Sequence, residues 1–383
     1  MIKKLGVLGL LGIILSFCIL GTALAVDAND VTLNVATAGD TNMEELQRVH
    51  VAKFLAQKYP GMKLNVVGTG PGDDGSQKIY EKLMAQKDAG KPEWDIDVAI
   101  VHQGIMGNMI QNGLLLKYVP KTDIANYVIG DTSKNSLGAN VAGYVIPLFQ
   151  SQVAIAYNSD VVKKVPSNLR ELEKWIKANP GSFGYNGVKN GMSGVAFATA
   201  FIYAKSGDYQ QLSKGPYNKK LENKWPAIIK ELKALPVTYT AGNQGTLDML
   251  NRGEITMGPV WVDMFYSMIA GGRMNPNVKL KLTAPGLPGQ PMYIVIPAKA
   301  KNISAAVKFA QTLASPEVQA GVIVEKYNWY PGIDATKVFP KCSEAAKDHL
   351  FKDITPGDLN KYSQSFMLAP YKTDLLETYE SVR

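Results

Sequence analysis

Residues 143–158 read GYVIPLFQSQVAIAYN. Val145, Ile146 and Leu148 precede a polar notch, Gln150-Ser151-Gln152, and Val153, Ile155 and Tyr157 follow it. Runs rich in β-branched and aromatic residues between turn formers predict strands. Polar side chains inside such a run cost free energy unless they find partners. Two architectures meet that demand. The run is either one edge strand of a single sheet, or a strand that leaves one domain, crosses an opening and enters another. The stretch alone leaves both open.

The chain begins MIKKLGVLGLLGIILSFCILGTALA. Lys3 and Lys4, the apolar run 5–20 and the small-x-small site Ala23-Leu24-Ala25 predict a cleavable secretory signal over residues 1–25. Phe17 before Cys18 does not suit a lipoprotein site. The rest of the 383 residues suits two domains of ordinary size. No later apolar run is long enough to span a bilayer. Beyond the signal Cys342 is the one cysteine. That excludes a disulfide framework and predicts a packed thiol. The net charge of +8 includes Lys3 and Lys4. The other lysines are scattered among acids, without the basic stripe and interleaved aromatics that nucleic acid would demand.

Strands predicted at 31–38, 62–68 and 97–101 alternate with helical patterns over 42–55, 77–87 and 105–112. That alternation argues for an α/β fold of parallel βαβ units. Ligands in such sheets lie beyond the carboxyl ends of strands, which nominates the loops 39–42, 68–72 and 102–104 together. Further on come helices over 168–178 and 195–205, a glycine-rich loop at 183–187, and Ser193 as a predicted N-cap. A strand over 254–259 is expected to turn sharply at Gly258-Pro259. Alternation beyond it places Trp261 and Asp263 on one face and Val260 and Val262 on the other. The valines suit the core, so Trp261 and Asp263 are expected to face an opening. Strands at 280–284 and 292–296, a polar-aromatic turn at 328–332 and a helical tail complete the chain.

Several chemistries lack their residues. His50, His102 and His349 have no metal-ligand spacing. There is no P-loop, no G-x-S-x-G elbow, and the glycines of 68–72 do not make G-x-G-x-x-G. Asp73-Asp74-Gly75 predicts a turn rather than a calcium loop. No metal, no cofactor and no catalytic set is expected, which favours a binding protein over an enzyme.

Four segments in this order, DIDVAIVHQGIMGNMIQNGLLL, GYVIPLFQSQVAIAYNSD, GTLDMLNRGEITMGPVWVD and YIVIPAKAKNISAAVKFAQTLASPEVQA, resemble extracellular solute-binding proteins of family 1, which serve ABC importers. The resemblance implies a two-lobed periplasmic-binding-protein fold of type II, like the maltose-binding protein. Each lobe would be a mostly parallel sheet flanked by helices, with the ligand cleft between them. It implies a first lobe of 26–149 plus 294–332 and a second of 150–293 plus 333–383, with 143–158 and 292–297 as crossings. It further implies a periplasmic monomer that takes a small solute to a membrane permease through both lobes, with no role for nucleic acid.

The same resemblance nominates a site. Asp40 and Thr41 follow the first strand, His102 and Gln103 the third, and Gln150 and Ser151 lie at the crossing. Tyr185, Asn186 and Ser193 belong to the second-lobe loop and helix start, Trp261 and Asp263 to the segment after G-P, and Tyr330 to the late loop. Plainer roles compete: Tyr185 and Trp261 as core residues, Asp40 and Ser193 as helix caps. Trp329-Tyr330 stands where ferric-binding relatives carry adjacent tyrosines, which speaks against iron. A sugar or polyol and a polyamine- or thiamine-like cation both suit aromatic walls with acids. A phosphonate-type anion is the alternative, against which stands the scarcity of arginine. A two-lobed enzyme or a sensor domain is the competing class.

Overall fold

The computed structural model describes residues 31–39, 41–70 and 72–383; the predicted signal peptide, Asp40 and Pro71 lie outside the described residues. β1 (Val31–Ala38) pairs in parallel with β2 (Met62–Gly70) and with β3 (Val98–His102). These are the expected βαβ units, with the helix Gly72–Asp88 between β2 and β3. Val98 to Val101 are fully buried, and an unbroken apolar run is what a strand covered on both faces needs.

β4 (Val145–Asn158) is the stretch with the polar notch. Its strand partners change along its length. β5 (Met257–Trp261) and β6 (Val278–Lys281) pair antiparallel with its second half, from Val153↔Trp261 to Tyr157↔Met257 and from Ile155↔Lys281 to Asn158↔Val278. β7 (Leu287–Val295) pairs antiparallel with its first half, from Val145↔Val295 to Gln152↔Gly289. β7 also pairs with β3, so the order across the sheet is β6-β4-β7-β3-β1-β2. The two-residue β8 (Tyr330–Pro331) adds to β4, and β9 (Ser363–Ser365) adds to β7. Parallel pairing thus holds for β1 to β3, while every ladder on β4 is antiparallel. The exchange of partners between Gln152 and Val153 is the crossing, and the molecule is two-lobed about it.

The notch is satisfied as burial demands. Gln150 Nε2 donates to Thr132 Oγ1 at 2.8 Å. Gln152 Nε2 donates to the Leu287 carbonyl at 2.8 Å, and its Oε1 accepts from Ser363 Oγ at 2.6 Å. The Ser151 hydroxyl points the other way and donates to Asp263 Oδ1. Alternation along β4 therefore gives its two faces different tasks.

Three local expectations are corrected. The chain does not turn at Gly258-Pro259; β5 runs through both to Trp261, and a helix, Val262–Ala270, starts at once. β5 has β4 as its one ladder among the described residues, a setting that tolerates a proline without N–H. Gly258 is needed there for a close approach, since a Cβ would come within 2.5 Å of the Gly184 carbonyl oxygen. Ser193 is not the N-cap of its helix, which runs Met192–Ser206 with Gly191 in the capping place. That helix is apolar on all sides because it is buried on all sides. Asp73 and Asp74 form no turn; they occupy the first turn of Gly72–Asp88, where the helix dipole favours carboxylates. Cys342 is buried with a free thiol, which burial pushes up to about 11.

Candidate functional site

A cavity of about 650 Å³ lies against the face of β4 that carries Phe149 and Ser151. From the β1–β3 side it is lined by Gly39, Asn42, Met43, Asp73, Asp74 and His102. Gly39, Asn42 and His102 come from two of the loops nominated by strand order, whereas Met43, Asp73 and Asp74 stand in the helices Thr41–Glu45 and Gly72–Asp88. The crossing strands add Phe149, Ser151, Gln290 and Met292. From the β5 side come Lys189, Asn190, Gly191, Met192, Asn243, Trp261, Asp263 and Met264, and Trp329 completes the wall.

Trp261 and Asp263 both border the cavity, by a geometry other than simple strand alternation. Trp261 is the last residue of β5, and Asp263 stands in the first turn of the following helix. Val260 and Val262 are in the core, as the pattern required. Asp263 is half-buried, and its carboxylate accepts from the Ser151 hydroxyl and the Trp329 side chain. Burial raises its pKa above the ordinary carboxylate value, and those two donors pull against that rise. Trp329 is held rigidly for this task. Its ring stacks on Phe149 at 4.0 Å and 9° and on Tyr327 at 4.8 Å and 12°. Both faces of Trp329 are thus covered, and Trp261, itself buried in the core, is the other tryptophan on the cavity wall.

The charges around the cavity are unequal. Lys189 is occupied by Glu380 at 2.8 Å. Asp73 is bound by Lys372 from the helix Ala369–Ser381. Burial pushes the Asp73 carboxyl up, but the Lys372 ammonium and His102 outweigh it and hold it down. Asp74 and Asp263 have no ion-pair partner among the described residues. No group of His, Cys, Asp or Glu able to hold a metal occurs among them.

Of the residues nominated from sequence, His102, Ser151, Trp261 and Asp263 share this cavity. Asp40 lies outside the described residues. Thr41 is exposed and starts the helix Thr41–Glu45; its neighbour Asn42 lines the cavity. Gln103 is buried, and its carbonyl accepts from Ser136 Oγ at 2.9 Å. Gln150 and Tyr330 face the far side of β4. Tyr185 is a core residue whose hydroxyl donates to Tyr379 Oη at 3.2 Å. Asn186 and Ser193 are fully buried and stand behind the wall: both donate to Asn243 Oδ1, at 3.1 and 2.8 Å, and so orient a residue that does line it. Sequence reasoning missed Phe149, Lys189, Asn190, Met192, Asn243, Gln290, Met292 and Trp329 among others. Phe149 was readable as the partner of Ser151 in alternation, and Trp329 as the other aromatic of the late turn.

Comparisons with known proteins fit this arrangement. A family model described as bacterial extracellular solute-binding protein matches residues 51–348. No curated protein sequence matches the chain. Among solved structures, maltose-bound MalE3 of T. maritima is similar with a TM-score of 0.70 at 15% identity, over 92% of this chain and 94% of that one. The spermidine/putrescine binding protein PotD of Streptococcus pneumoniae gives 0.63 at 15% identity, over 92% and 99%. Iron-bound HitA of Pseudomonas aeruginosa gives 0.61 at 16%, over 92% and 99%. At such identities the likeness is one of fold. No helix among the described residues is long and apolar enough to cross a membrane. With the family model covering most of its length and a solute-sized cavity at the crossing strands, the chain belongs to the bacterial extracellular solute-binding proteins.

Proposed function

We propose that this protein is the solute-binding component of an ABC importer, and that it captures a small organic cation in the β4 cavity. Cations of the polyamine or thiamine-like kind fit best. The observation that carries this reading is Asp263, a partly buried carboxylate with two neutral donors and no cationic partner. A cationic group entering the cavity supplies that partner, while Trp261 offers a ring face for cation–π contact. Asp74 adds a second unpaired negative charge. Met43, Met192, Met264 and Met292 bring polarizable, adaptable surface for the carbon skeleton. An anion fits poorly, since the one lysine of the wall is already paired. A neutral sugar or polyol is the second reading, favoured by the amides of Asn42, Asn190, Asn243 and Gln290 beside Trp261.

In this reading the protein is not an enzyme and works as a monomer in the periplasm, after loss of residues 1–25. The lobes comprise 26–149 with 294–332 and 150–293 with 333–383, a division supported by the exchange of partners within β4. Both lobes would present the loaded, closed form to the permease. Mass spectrometry of the solute that co-purifies, then calorimetric titration of putrescine, spermidine, thiamine, glucose, maltose and a phosphonate, tests the proposal. Tight binding of a cation is expected, not displaced by the neutral or anionic compounds. Tight binding of the phosphonate alone overturns it.

A further inference from the structure

A second cavity, of about 360 Å³, lies on the opposite face of β4. The alternation that sends Phe149 and the Ser151 hydroxyl to the first cavity sends Gln150 and Gln152 to this one, Ser151 bordering both, and Trp329 and Tyr330 divide in the same way. The volume sits at the lower end of the roughly 300–1,000 Å³ usual for ligand pockets. Its lining differs in kind from that of the first cavity. No lysine, arginine, histidine, aspartate or glutamate contributes to it. The polar part is carboxamides and hydroxyls, among them Gln150, Asn360, Gln364, Ser363 and Ser365. The apolar part is led by the rings of Tyr330, Phe339 and Phe351, with Tyr330 stacked on Phe351 at 5.9 Å between centroids.

That composition selects a ligand class. A charged ligand would find no counter-charge and would lose its hydration without return. A wholly apolar ligand would strip water from the amides and hydroxyls and give nothing back. A molecule with several hydroxyls and a C–H face meets both requirements: hydroxyls exchange hydrogen bonds with the amides, and the carbon face lies on the rings. We infer that this rear cavity is a second binding site, for a neutral polyhydroxylated molecule of about monosaccharide size.

Calorimetric titration and thermal shift with myo-inositol, glucose and glycerol test this in the full-length mature protein. At least one of the three is expected to bind the wild type and to bind Trp261→Ala about equally, because that ring belongs to the other cavity. Asn360→Trp, placed on an exposed rim residue to fill the cavity, is expected to weaken that binding by about tenfold or more. Gln150→Leu, which keeps the volume but removes the amide, should weaken it in the same sense. Circular dichroism checks that each variant is folded, and either rear variant suffices. Failure of all three compounds to bind the wild type with a Kd below about 10 mM overturns the inference. So does binding that is lost in Trp261→Ala and kept in Asn360→Trp, which would make the polyol a ligand of the first cavity. Cation binding in the first cavity is read separately, and Asn360→Trp should leave it intact.

Discussion

Asp263→Asn changes one oxygen for one nitrogen and separates the charge of this side chain from its shape. The asparagine Oδ1 can still accept from Ser151 Oγ and the Trp329 side chain. Those bonds become neutral, at a cost of about 1 kcal/mol. Against that, the partly buried carboxylate no longer has to be stripped of water in a place without a cation. The unliganded protein should therefore unfold within about 1 kcal/mol of the wild type at neutral pH. Affinity should behave otherwise. Removing one partner of an enclosed charge pair costs about 2–5 kcal/mol, and the open side of Asp263 places it near the lower limit. A loss of about 2 kcal/mol is about thirtyfold in Kd for the cation.

The pH dependence carries a second signature. The folded pKa of Asp263 lies above its ordinary value of 3.8, so between the two the folded protein holds the extra proton. Stability from this group is then greatest below 3.8 and falls as pH rises through the raised value. Cation affinity runs in the opposite direction and falls as acid neutralises the carboxylate in the same window. Both slopes should flatten in Asp263→Asn. Calorimetric titration with the cation that binds most tightly, together with urea unfolding at several pH values, measures them. Unchanged cation affinity in the folded variant refutes the assignment of Asp263 as the charge partner.

Other predictions address neighbouring claims. Trp261→Ala should lose about 2 kcal/mol or more of solute affinity. Its unfolding free energy should fall by no more than about 3 kcal/mol, since part of the ring borders open cavity instead of packed atoms; a large stability loss with normal affinity would leave it only a core role. Tyr185→Phe should cost about 1 kcal/mol of stability through its lost bond to Tyr379, with solute affinity unmoved in titration. Saturating solute should reduce the radius of gyration in small-angle scattering as the lobes close, and an unchanged radius at saturation speaks against closure.

The crossing strand and the loops after β1 and β3 were legible because each rests on a periodicity or a rule about open sheets. Trp261 and Asp263 were nominated from strand alternation and border the cavity, although the helix that begins at Val262 replaces the extended segment assumed for them. The nominated residues that do not line this cavity have a physical reason in common. Ser193 and Asn186 are polar residues next to a glycine-rich loop, as ligand-binding residues often are. Their partner is Asn243, far along the chain, and a long-range hydrogen bond leaves no local trace. Gln150 was nominated on the crossing strand and Tyr330 in the late loop, and both border the cavity on the other side of β4. Ser151 and Trp329 are the adjacent residues that border the first cavity, and a shift of one position in a strand exchanges the two sides.

The place of β7 has a consequence for the order in which the protein is made. β7 lies between β3 and β4 in the sheet, yet follows both in the chain, and His102 pairs with Met292. A polypeptide made amino end first delivers β3 long before its neighbour. Throughout that interval one ladder of β3 has no partner, and the first lobe cannot close its sheet. Pairing between such distant segments is slow because a long loop must be closed first. The delay leaves an open edge on β3 that invites wrong partners. A chain cut short before residue 287 would hold every strand of the βαβ units and still lack the one that joins them to β4.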